Sequence, residues 1–164
     1  MVNQTFHTNL EVSGYYLHGV DNAHIPTSVT RLRHDHGLQA INPNAWYPAD
    51  TVLDFYVAVG LADGGAFDLV DIGRHIIADF PFPPHVQTLH AALAAAPEMH
   101  RTAWRGDCQT ELNVRWVGER HAQRVYHNMP LPADLVYGLC YGLVERFAPA
   151  DTQNINVQQV VRGQ

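Results

Sequence analysis

The chain has 164 residues and 18.3 kDa, with 46% hydrophobic and only 16% charged residues, the proportions of one folded domain with much neutral polar surface rather than a disordered chain. A net charge of -6, with ten arginines and no lysine, argues against a phosphate-backbone partner, which needs clustered cations. Two distant cysteines, Cys108 and Cys140, form no CxxC pair, no apolar run is long enough for a membrane span, and "MVNQTFHTNLEVSG" is no export signal, so a soluble cytoplasmic chain is expected. The unusual feature is eleven histidines.

In chain order, "VSGYYLHGVDNAH" reads as an edge strand or the start of a helix. "IPTSVTRLRHDHG" predicts a helix over about 26–36, entered at Pro26 and closed by Gly37. "NPNAWYPADTVLDFYVAVGLADGG" opens with a loop that carries two prolines. A helix then starts around Pro48, carries Val52, Phe55, Tyr56 and Val59 on one face, and stops at Asp63-Gly64-Gly65. "AFDLVDIGRHIIADF" repeats the helical pattern up to the breaker "PFPP".

In "HVQTLHAALAAAPEMH", Val86, Leu89, His90 and Leu93 share one face of a short helix, with His90 as an inward histidine. After Pro97 the texture changes. Leu112, Val114 and Trp116 alternate with Glu111, Asn113 and Arg115, and Gly118-Glu119 turns the chain into "RHAQRVYHNMP", which predicts a β-hairpin. "PADLVYGLCYGLVERFA" is again helical, with Gly138 and Gly142 leaving a groove, and "NINVQQVVRG" reads as a last strand. The expected fold class is α+β: N-terminal helices packed on a small antiparallel sheet with an embedded C-terminal helix, as one ligand-binding domain over 1–164.

The order of these elements, with "WYPADTVLDFYVAVG", "FDLVDIGRHIIADF", "VQTLHAAL" and "VYHNMPLPADLVYGLCYGLVERF", resembles the heme nitric oxide/oxygen binding domains and the related 4-vinyl-reductase-like domains over about residues 44–160. The resemblance implies heme-dependent sensing of a gaseous ligand, with His90 as the proximal ligand of the iron. Movement of its helix would be relayed to a separate effector protein or a second subunit. The family holds the heme propionates with Tyr-x-Ser-x-Arg. The corresponding run here is Tyr126-His127-Asn128-Met129-Pro130, which keeps the tyrosine and lacks the arginine, so Tyr126 and Asn128 join Arg124 or Arg120 as the cofactor-binding candidates. The alternative expectation is a heme-free module of the same superfamily that binds an apolar small molecule or dimerises.

Other histidines carry weaker readings. His34 and His36, flanking Asp35, would make a transition-metal pair if extended and a solvated helix end otherwise; Asp71 and His75 lie one helical turn apart. Trp46, Tyr47, Phe55, Tyr56, Phe67 and Phe80 are expected in the core or around a cavity, and Cys140 as a small buried residue. No GxSxG, HExxH, phosphate loop or GxGxxG occurs, so no catalytic reading has an anchor and a non-enzymatic protein is expected.

Overall fold

The structure is a computed structural model and describes residues 9–160. The elements run β1 (Glu11–Ser13), α1 (Tyr15–Asn22), α2 (Thr27–Asp35), β2 (Trp46–Pro48), α3 (Ala49–Leu61), α4 (Gly65–Asp79), α5 (Leu89–Thr102), β3 (Trp104–Arg105), β4 (Glu111–Gly118), β5 (His121–His127) and α6 (Ala133–Phe147). The class is α+β, as expected. "VSGYYLHGVDNAH" supplies both a strand and a helix: β1 is the centre of a three-stranded sheet in the order β2-β1-β3, and α1 follows at once. Val12 pairs with Tyr47 on one side and Trp104 on the other, so this sheet ties the start of the chain to its middle.

α4 is the central helix. Its buried face, Leu69, Ile72, Ile76 and Ile77, meets α1 on one side and α6 on the other, in one hydrophobic core among the described residues. Glycine sets the α4–α6 distance. A methyl group on Gly138 would stand 2.2 Å from the Val70 carbonyl oxygen, and one on Gly73 would stand 2.5 Å from that of Leu135. The two backbones therefore touch where side chains would otherwise hold helices about 8–10 Å apart. Gly64, at φ 76°, supplies the left-handed turn that separates α3 from α4. Arg146 of α6 donates from Nη1 to the carbonyls of Ile77, Ala78 and Phe80 at 2.6, 3.0 and 2.8 Å, which satisfies carbonyls that the end of α4 leaves without partners.

The hairpin has the expected phase. Leu112, Val114 and Trp116 pair with Tyr126, Arg124 and Ala122, so these six share the face turned toward α5, and a bulge at Val117 precedes the turn. Three sequence expectations change. α5 does not end at Pro97 but runs through it to Thr102. Residues 154–160 form no strand, and the rest of the expected last strand lies outside the described residues. Phe67 is 83% exposed, because it falls on the outer face of α4.

Candidate functional site

A partly open cavity of about 40 Å³ lies where α1, α4, α5, β5 and α6 converge. Ile76 and Ile77 from α4 and Leu139 and Leu143 from α6 form apolar walls, and Phe80, Phe82, Met99 and Met129 are its half-exposed members. Its polar groups come from three elements: Tyr16 of α1, His100 of α5, and Arg124 and Tyr126 of β5. Strand geometry explains the last pair, since residues two apart on β5 project from the same face.

Arg124 is the distinctive member. The guanidinium is half-buried, and its Nε has neither accessible surface nor a hydrogen-bond partner. Its Nη1 donates to Cys140 Sγ at 3.3 Å, and its charge lies 5.2 Å from the Tyr126 ring centre. Among the described residues no carboxylate comes within ion-pair distance of it, whereas Arg33, Arg74 and Arg101 each pair with one. An inward guanidinium without a carboxylate partner is costly.

None of the groups that line the cavity with Arg124 is a carboxylate. His100 is 5% exposed, and its Nε2 is hydrogen-bonded to Thr110 Oγ1 at 2.8 Å. Burial, helped by the positive charge of Arg124, lowers its pKa to about 4, so the ring is neutral at pH 7. Burial pushes the Tyr16 hydroxyl up to about 12, against the opposing pull of Arg124. Burial also holds Tyr126 well above the ordinary tyrosine value, again opposed by Arg124. The cavity therefore carries one positive charge at neutral pH. Trp104 packs against both Tyr16 and His100 and has a buried indole N–H without a partner, a second unused donor one ring away from the lining.

The structure divides the sequence-predicted site. Arg124 and Tyr126 line the cavity together. Asn128 does not join them: it is exposed, sits at φ 52° just beyond the end of β5, and donates from Nδ2 to the Gln109 carbonyl at 3.4 Å. His90 does not face inward. Thr88 caps α5 by accepting from the Ala91 amide at 3.1 Å, so the helix begins at Leu89 and His90 lies in its first turn on the exposed side. There its ring stacks on Trp116 of β4, centroids 4.6 Å apart and planes 21° off parallel.

The inward histidine of this helix is His100, ten residues or roughly 15 Å further along the axis. Its signal was present in the sequence. Ala92, Leu93, Ala96 and His100 are the buried positions of α5 and follow helical spacing, but the pattern is legible only if the helix continues past Pro97. The spacing that favoured His90 counted Val86, which precedes the helix.

These residues do not fit heme. The imidazole assigned to iron is outside, and Nε2 of the buried one is already engaged by Thr110. About 40 Å³ is also an order of magnitude below the roughly 300 Å³ of a pocket for a drug-sized ligand. The His34–His36 pair is likewise not assembled, since His34 is exposed while His36 Nδ1 hydrogen-bonds the Leu32 carbonyl at 2.8 Å. Among the described residues no three His, Cys, Asp or Glu side chains are grouped to hold a metal ion, and no helix is long and apolar enough to cross a membrane. Comparison with known proteins finds no matching family model, no similar curated protein and no similar solved structure.

Proposed function

We propose that this protein is a heme-free binding module for a small, largely apolar molecule, taken up in the cavity between α4, α5, β5 and α6. The observation that supports this reading is the composition of the cavity: aliphatic and aromatic walls from several elements converge on a few polar groups, the usual make-up of a ligand site. The size of the void sets the size of the ligand, a few heavy atoms unless the lining moves. Met99 and Met129 are the side chains best able to move, because methionine is unbranched and both are half-exposed. Binding would then be reported to a partner protein through α5 and the hairpin, which pack on each other beside the cavity.

Xenon under pressure is a probe of the right size and polarity, since apolar cavities take it up. The expected result is a set of amide chemical-shift changes centred on Ile76, Met99 and Leu139, abolished in Ala96→Leu, which fills the cavity. Changes scattered over the surface, or unchanged in the filled variant, overturn the reading. In a parallel titration hemin is expected to give no Soret band that His90→Ala alters; a band lost in that variant restores His90 as an iron ligand.

A further inference from the structure

We propose that the cavity takes a small monocarboxylate with a short apolar tail, its carboxylate held by Arg124. The proposal rests on the small-molecule reading above and adds the chemical class of the ligand.

Donors and acceptors in the cavity are out of balance. Arg124 presents five N–H groups, of which Nη1 is engaged by a weak acceptor, the sulfur of Cys140, and Nε by nothing. No carboxylate reaches it from any element packed against the cavity. Tyr16 on α1, His100 on α5 and Tyr126 on β5 are neutral, and α4 and α6 contribute aliphatic side chains. A half-buried guanidinium with one unit of positive charge has, among the described residues, no carboxylate within ion-pair distance. A ligand carboxylate carries one unit of negative charge and matches the planar fork of a guanidinium. A phosphate dianion would bring a second negative charge that nothing in the lining neutralises, so the same count disfavours it.

Five other arginines are held by partners of their own. Arg33, Arg74 and Arg101 have carboxylate partners, Arg146 caps α4, and Arg105 lies 3.9 Å over the ring of Trp46. Arg124 alone of these six lines the cavity, and among the described residues no carboxylate lies within ion-pair distance of it. The tail of the ligand would lie against Ile76, Leu139 and Leu143, and the roughly 40 Å³ of room selects acids of about two to four carbons.

The test compares butyrate with butyramide, which has nearly the same shape and no charge, by titration of the amide signals of Arg124, Tyr126 and Met129 at pH 7. Butyrate is expected to bind at least tenfold more tightly than the amide. Arg124→Gln is expected to remove that preference while still taking up xenon, and Arg124→Lys, which keeps charge without the fork, to restore part of it. Equal affinity for acid and amide overturns the proposal, as does inorganic phosphate binding as tightly as butyrate, or a preference that survives in Arg124→Gln. The acid–amide comparison uses the wild-type chain, so it decides the matter even if a variant fails to fold. Xenon uptake without butyrate binding removes the carboxylate assignment and leaves the small-molecule reading standing; if neither binds, both fall.

Discussion

His100 and Arg124 are brought near each other by the packing of α5 on the hairpin, and the positive charge of Arg124 adds to burial in making a charge on His100 expensive. The consequence for His100 is a pH-dependent stability. Its ordinary value of 6.5 falls to about 4 in the folded chain. Between those values the unfolded chain binds a proton that the folded chain refuses, so stability is full above about pH 6.5 and declines as pH falls toward 4. The difference corresponds to about 3 kcal/mol. The groups facing this ring are Thr110, Trp104, Tyr126 and Arg124, and none supplies a negative charge. His100→Gln is expected to flatten that part of the pH profile in urea unfolding measured from pH 7 to pH 4; a variant as acid-sensitive as the parent removes His100 as its source. By contrast His90 lies at the surface, its ring stacked on Trp116. The sequence shows eleven histidines with equal chemistry, and only their surroundings separate these two.

At the level of elements, the contact between α4 and α6 is the most exacting. Gly138 against the Val70 carbonyl and Gly73 against that of Leu135 leave no space for a methyl group. Gly138→Ala gains roughly 1 kcal/mol of helix propensity. It must also move backbone apart along the whole interface, and overpacking of this kind costs about 1–3 kcal/mol or more. A net loss of about 1–2 kcal/mol is expected in chemical denaturation; a stabilised variant would mean that the helices separate freely. Because α4 and α6 both wall the cavity, the same substitution is expected to weaken xenon uptake.

The longer elements were legible in the sequence because amphipathic periodicity persists over several turns: α3, α4 and α6 start and stop close to their predicted ends, and both hairpin strands have the predicted phase. β2 and β3 were not, for strands of two or three residues are too short to show alternation, and β1 was legible only as one of two readings, an edge strand, where it is the central strand of its sheet. α5 was misread at Pro97 for a physical reason: proline removes one amide donor and clashes with the preceding turn, yet tertiary packing of Ala92, Leu93, Ala96 and His100 carries the helix through.

Across the whole molecule, ligand binding and folding are linked. A ligand that occupies the cavity of the folded chain and nothing in the unfolded one stabilises by about 2.7 kcal/mol at a hundred times its Kd. For a domain of this size, about 2–4 °C per kcal/mol translates this into a Tm rise of roughly 5–10 °C. Butyrate is expected to produce that rise in a thermal scan, and butyramide at the same concentration not to. A rise of equal size from both would locate the stabilisation elsewhere than at Arg124.

The α+β class, the order of the main helices and the hairpin, and the pairing of Arg124 with Tyr126 on one strand face follow from periodicities of 3.6 and 2, which are local properties any stretch of sequence carries. Which histidine is buried, whether a cavity forms and how large it is, and that Arg124 meets no carboxylate depend on residues from five elements spread between Tyr16 and Leu143. Those are long-range facts about packing and charge, and no spacing within one element encodes them.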